Sequence, residues 1–285
     1  MLDMMKQARA AISLLNPEEV RSRAAKPVQV GLVAVDDAGY AGLEEFLLPS
    51  GMPEQTRAEM HQRVHRASDP QVPETVDLVF YQEGIAPAEG TYTLRLDDPE
   101  STASEIAVEH EELLLALACQ FPGFRHLVIS GIVHSVSREN ALFAIATALP
   151  NIVPSLIELP WAFGEFASDT AFLTANQVRM AFLIAAAFGK DPGLANQKGQ
   201  ILSIVAGAFG WRALARELAG KIPLGGGLIP KGAIAFAATY VLGKGLEHFH
   251  GVGYGYTRAQ RRDAYQVAYE RGKALMGAML RKNEA

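Results

Sequence analysis

Leu173-Thr174-Ala175-Asn176-Gln177-Val178-Arg179-Met180 is the stretch on which the fold turns, because it carries four polar side chains into a region otherwise apolar at helical spacing. That region runs from Asn140 to Gly245. It opens with Ala141 to Ile157, which contains no charge, and takes in Arg212 to Glu217 and the glycine-rich turn Ile222-Pro223-Leu224-Gly225-Gly226-Gly227-Leu228-Ile229-Pro230. It has the length to bury a core of its own, so an all-helical domain is expected. Buried amides and guanidinium groups must find partners. Thr174, Asn176, Gln177 and Arg179, with Arg212, Arg216 and Glu217 on another segment, therefore read as an inter-helix polar network rather than a ligand site. Ala235, Thr239 and Gly243 recur every fourth position, a spacing that lets another helix approach closely.

Upstream the pattern differs. Val28 to Val35 is nearly continuous in apolar character between Pro27 and Asp36-Asp37, as a buried strand would be. Val76 to Tyr81 reads as a second strand, and Thr91 to Leu96 alternates as a half-exposed edge strand does. Helices are expected at Gly39 to Leu48, at Pro53 to Arg66, and at Thr102 to Gln120, where Ile106, Leu113, Leu114 and Leu117 share one face and Glu105, Glu109 and Glu112 another. Strands alternating with helices point to a small parallel or mixed sheet. The character changes after Pro122-Gly123. The expected fold is a small α+β or α/β sheet domain followed by a larger all-α domain, mainly helical overall. Its parts are N-terminal helices over 1–25, a sheet domain over 26–122, a helical domain over 123–250 and a helical tail over 251–285, with a flexible run from Gly251 to Gly255.

Composition sets limits on function. In 285 residues, 49% hydrophobic and 20% charged, the prior is two globular domains. A formal net charge of -5, without a local Lys and Arg cluster interleaved with aromatics, excludes a nucleic-acid footprint. One cysteine, Cys119, allows neither an intrachain disulfide nor a cysteine metal site, and reads as a buried inert thiol. Met1 to Ala11 lacks the pattern of a secretory signal, so a cytoplasmic location or the cytoplasmic face of a membrane is expected. Ile222 to Gly243 approaches a spanning length, but Pro223, Gly225 to Gly227 and Pro230 break it and Lys231 interrupts it; the 141–157 run contains two prolines. A soluble or peripherally attached bundle follows.

No chemistry-bearing constellation emerges. The turn after the first strand sits where a phosphate loop would, yet offers Asp36-Asp37-Ala38-Gly39-Tyr40, and none of the Gly-Lys pairs at Lys190, Lys221, Lys244 and Lys273 is followed by Ser or Thr. Asp77 to Gly84 stands where nucleotide-binding domains carry a Mg²⁺-facing Asp, while the base-recognising segment is absent. A degenerate, non-binding sheet is the reading. His61 and His65 lie one helical turn apart on a polar helix without a third ligand, and His248 and His250 mark a helix end. Ser130, Ser135 and Ser137 lack a nucleophile elbow. The expectation is no catalytic, cofactor-binding or metal residue.

Leu173 to Met180, Ile184 to Gly189, Arg212 to Leu218, Ile222-Pro223 and Lys231 to Ala235 resemble a bacterial family, the YcjF-type GTPase-associated helical domain of unknown function. The resemblance covers roughly residues 138 to 247. It implies a GTPase-related context, since relatives carry the domain after an Era-like GTPase domain or beside membrane segments. The sheet half resembles at most a truncated, degenerate nucleotide-binding domain. The functional expectation is a non-enzymatic interaction, regulatory or scaffold protein at the cytoplasmic membrane face. Its partner would be a protein, a GTPase or a copy of itself, with no nucleic acid and no small-molecule substrate. The alternative is a nucleotide-dependent switch or enzyme with an atypical phosphate loop at Asp36 to Tyr40.

Overall fold

A computed structural model describes residues 15–67, 75–147, 169–193, 197, 199 and 228–282. The protein is mainly helical α+β, with a small parallel four-stranded sheet near the N-terminus and a larger helical part after it. The chain divides into two compact units: Glu18–Ser130 with Ala185–Asp191, and Gly131–Ile184 with Pro192–Ala285 and the residues through Pro17.

In the sheet unit the described elements run α1 (Pro17–Ala25), β1 (Val30–Val33), α2 (Asp37–Leu47), α3 (Glu54–His61), β2 (Val64–Arg66), β3 (Leu78–Gln82), β4 (Tyr92–Leu94), α4 (Pro99–Glu109) and α5 (Glu111–Gln120). All four strands are parallel, in the order β2-β1-β3-β4, with Val30 level with both Val64 and Leu78 and Phe80 level with Tyr92. The continuous apolar run lies on an inner strand, where Val30 and Leu32 are fully buried, and the alternating run forms edge strand β4.

Two sequence expectations are corrected in this unit. The helix expected over Pro53 to Arg66 stops at His61, and Val64–Arg66 becomes edge strand β2. The open side of β1 offers hydrogen bonds that a polar helix cannot replace: Val30 N donates to Arg63 O at 2.8 Å and Ala67 N to Leu32 O at 2.9 Å. Tertiary pairing outweighs local helix propensity here. The single helix expected over Thr102 to Gln120 is broken at His110, whose backbone is non-helical (φ -136°, ψ 48°). A straight amphipathic helix buries one stripe, but α5 buries Leu115, Ala116 and Ala118 as well as Leu113 and Leu117, so most of its circumference is covered, whereas α4 buries only Thr102, Ala103 and Ile106.

The core of the sheet unit centres on Phe80, which stacks on Phe124 at 5.4 Å between ring centroids; Phe46 meets Phe124 edge-on at 5.1 Å. Phe124 lies on α6 (Pro122–Ala146), whose first residues belong to this unit. A Cβ on Gly123 would lie 2.1 Å from Phe46 O, so only glycine allows this approach. Arg125 caps two helix ends at once. Its Nε donates to Ala187 O at 2.8 Å and Ala118 O at 3.2 Å, its Nη2 to Cys119 O at 3.3 Å, and its guanidinium lies over the Phe188 ring.

The helical unit contains the rest of α6, α7 (Asp169–Ala187) through Ile184, α8 (Leu228–Val252) and α9 (Arg258–Lys282). α7 stops where the sequence suggests, with Gly189 at φ +66° and Lys190 N donating to Ala185 O. Phe143 and Phe172 stack at 3.9 Å. The glycine run expected to be flexible from Gly251 is partly helical: α8 continues to Val252, and Gly253 at φ +87° ends it. Thr257 and Gln260 then form a reciprocal capping box that starts α9. α9 packs along α8 through Ala268 and Met276. Among the described residues no helix is long and apolar enough to cross a membrane. The whole segment from Ile201 to Gly227, with Arg212, Arg216 and Glu217, and the end of the 141–157 run lie outside the described residues.

Candidate functional site

Each unit holds a cluster of interacting polar side chains. In the helical unit, α6, α7 and α8 are joined by a polar network. Arg179 Nη2 donates to Glu139 Oε2 at 2.7 Å and Arg179 Nε to Asn176 Oδ1 at 3.0 Å. The Asn176 amide donates to Glu139 Oε2 at 3.0 Å and to Asn140 Oδ1 at 2.9 Å. Asn140 donates in turn to Thr239 Oγ1 at 2.8 Å, and Gln177 Nε2 reaches the same hydroxyl at 3.2 Å. Asn140 is fully buried and Thr239, Asn176 and Gln177 nearly so, while Glu139 and Arg179 keep one edge toward water. Charge pairing in a low-dielectric setting holds the arrangement only because the neutral amides satisfy the remaining lone pairs.

The sequence pointed to Thr174, Asn176, Gln177 and Arg179 as network members; the structure brings the last three together, while Thr174 is buried but takes no part in these bonds. The sequence missed Glu139, Asn140 and the hydroxyl of Thr239. Glu139 and Asn140 come directly before the uncharged run that opens at Ala141, a usable signal, whereas Thr239 was legible only as a small residue. Four residues beyond it, a Cβ on Gly243 would come within 2.6 Å of Val133 Cγ2 and 3.0 Å of Met180 Sδ, so the small-residue row does bring helices close.

In the sheet unit, the turn after β1 lies at the carboxyl ends of parallel strands, where open α/β sheets bind ligands. Here the chain's own groups occupy it. Asp36 caps α2 by accepting from Gly39 N at 2.8 Å, and Gln82 Oε1 accepts from Val35 N at 3.0 Å. A Cβ on Gly39 would fall 2.2 Å from that Gln82 oxygen, so the turn is already filled. Arg66 makes a two-pronged pair with Glu44 at 2.7 and 3.1 Å, reaches Asp37 at 3.5 Å and lies over the Tyr40 ring at 5.1 Å. Asp77 is at the other end of the sheet. It accepts from Gln29 N at 2.7 Å, one strand length (about 13 Å for the four steps from Leu78 to Gln82) from the turn.

The remaining candidates have local roles. His61 ends α3, and His65 lies on β2, where its Nε2 meets Gln29 Oε1 at 2.9 Å, so the two are not ligands one helical turn apart. His250 is in the last turn of α8, and His248 packs against Tyr254 and Tyr256. Ser137 donates to Val133 O and Ser135 to Glu139 Oε1, both on α6 with Ser130. Burial pushes the Cys119 thiol above its ordinary range, outweighing the nearby Arg125 charge, so it stays protonated at neutral pH. Among the described residues no group of three or more His, Cys, Asp or Glu could hold a metal ion. No protein-family model, curated protein or solved structure matches the chain.

Proposed function

We propose that this chain is a non-catalytic interaction or scaffold protein, akin to the YcjF-type GTPase-associated helical domains, that works at the cytoplasmic face of a membrane through a protein partner. The partner is a GTPase or a second copy of the chain. One observation carries the reading. The Leu173 to Met180 segment, one of the motifs that carry the family resemblance, spends Asn176, Gln177 and Arg179 on Glu139, Asn140 and Thr239 of neighbouring helices. Polar groups bonded to one another in this way brace a surface instead of meeting a substrate.

The self-filled turn after β1 supports the non-catalytic half of the reading. A polyphosphate would have to displace both the Asp36 cap and the Gln82 seal, and would meet the Asp36 and Asp37 carboxylates. Isothermal calorimetry with Mg²⁺ and GTP or ATP tests this: no heat of binding is expected. Tight binding that Gly39→Val removes would establish the nucleotide-dependent switch instead. Affinity capture from the native cell tests the partner, and enrichment of neither a GTPase nor the chain itself would overturn that half.

A further inference from the structure

The end of α8 and the loop that joins it to α9 carry a pattern that the polar network and the family resemblance leave unused. Gly251-Val252-Gly253-Tyr254-Gly255 sets two apolar side chains between three glycines, and Val252 is 51% and Tyr254 64% exposed. Six large hydrophobic residues are exposed in this way among those described, and two of them stand here with a single glycine between them. The tip is not slack. The Tyr254 ring meets His248 edge-on at 5.2 Å, Tyr256 lies 5.0 Å from the same imidazole, and Gly253 at φ +87° fixes the turn. An apolar tip held in place by packing loses little conformational freedom when it is covered.

Charge accompanies it. The expectation that no local basic cluster lies among aromatics is corrected here: beside Tyr254 and Tyr256, Arg258, Arg261 and Arg262 are all exposed on the first turns of α9, at the spacing that makes them neighbours on a helix surface. Arg261 Nε donates to Tyr256 O at 3.2 Å, which ties the basic group to the loop. One acid follows, Asp263, 3.4 Å from Arg262 in a pair so exposed that water screens it. Glu247, the preceding acid in the chain, is matched by Lys244 at 2.8 Å. Cations in the first turn of a helix oppose its dipole, so α9 gains no stability from them. In a chain of net charge -5, a locally basic group beside exposed valine and tyrosine is complementary to an anionic surface with an apolar layer beneath it.

We propose that the end of α8 and the α8–α9 loop form an interfacial membrane anchor: Val252 and Tyr254 enter the headgroup boundary of an anionic phospholipid bilayer while Arg258, Arg261 and Arg262 hold its phosphates. Nucleic acid is the weaker fit, because exposed Val252 has no role in a contact made of phosphates and stacked bases. The inference rests on the membrane-face part of the proposed function and leaves its protein-partner part independent.

Co-sedimentation of the full chain with vesicles tests it, using phosphatidylcholine alone and phosphatidylcholine mixed with phosphatidylglycerol. Binding is expected only to the mixed vesicles and is expected to fall as salt is raised. Taking about fivefold per arginine at such a surface, R258Q/R261Q/R262Q weakens binding by roughly a hundredfold. V252S/Y254S weakens it while keeping the charge, R281Q at the far end of α9 leaves it unchanged, and Tyr254→Trp gains a blue-shifted emission on adding mixed vesicles. Unaltered circular dichroism of the variants establishes that their folds are intact. Failure to sediment with mixed vesicles, undiminished binding by both loop variants, or tighter binding to a duplex oligonucleotide at equal salt would each overturn the anchor. The nucleotide titration and the partner capture report independently of these outcomes.

Discussion

Asn176→Ala should be the most informative single change in the helical unit. It deletes one acceptor for Arg179 and two donated bonds, to Glu139 and to Asn140. Bonds to charged groups contribute about 1.5 to 3 kcal/mol and neutral ones about 1 kcal/mol, but these do not simply add. Arg179 and Glu139 keep their direct pair at 2.7 Å, and both retain some exposure, so water takes over much of what they lose. Asn140 has no such recourse. It is fully buried, and its Oδ1 is left without the Asn176 donor, a cost of about 1 to 3 kcal/mol. With the volume removed, the expected loss is about 3 kcal/mol, measured as urea unfolding by circular dichroism, with faster hydrogen exchange at α6 and α7 amides. Asn176→Asp, the same size, removes both donated bonds and sets a carboxylate beside Glu139. It should cost more near neutral pH and recover as the pH falls and the new acid is protonated. A loss for Asn176→Ala below about 1 kcal/mol, or strict additivity with Asn140→Ala, would refute the claim that these amides brace the helices.

Other perturbations have definite signs. Gly243→Ala should destabilise, because the added Cβ meets Val133 at 2.6 Å and overpacking costs about 1 to 3 kcal/mol, more than the helix-propensity gain; Gly245→Ala, where the nearest atom is 4.0 Å away, should stabilise by roughly 0.5 to 1 kcal/mol in the same thermal melts. Arg125→Met should cost about 2 to 4 kcal/mol by urea denaturation, since carbonyls at the ends of α5 and α7 lose their donor, and Arg125→Lys should not restore it because one ammonium lacks the planar fork. Burial, with a smaller contribution from Tyr269, pushes the Tyr265 hydroxyl up to about 12. The folded state then holds its proton after the unfolded state has released it, so stability is intact below about pH 10 and declines as pH rises from there toward 12. Tyr265→Phe should flatten that part of an alkaline denaturation curve.

The sequence foretold elements best where burial is one-sided or complete. The continuous run around Val30 to Val33 and the alternating run at Tyr92 to Leu94 each announce their place in the sheet, because side-chain burial there follows the period of the strand. Val64–Arg66 was illegible for the opposite reason: three residues carry almost no pattern, and only the open edge of β1 makes them a strand. The break at His110 was hidden because a helix-period pattern records which residues are apolar but not whether one stripe or most of the circumference is buried. Of the candidate site, the α7 members were readable as polar residues in an apolar helix. Their partners on α6 and α8 were not, since which polar groups meet depends on how helices are set against each other. Gln82 was likewise silent: nothing in its neighbourhood in sequence reveals that its amide closes the turn after β1.

Thr239 gives the helical unit an index mark along its own axis. Its single hydroxyl receives both Asn140 and Gln177. A slide of α8 by one turn would present Ala235 or Gly243 at that level, and neither side chain can accept a hydrogen bond. Packing opposes such a slip as well, since it would bring Thr239 or Glu247 to the level of Gly243, where even one added Cβ would lie 2.6 Å from Val133. The hydroxyl makes it costly in either direction, because two buried amides would be stranded together. Position along the helix is thus pinned at two points one turn apart, by the hydroxyl of Thr239 and by the bare Cα of Gly243.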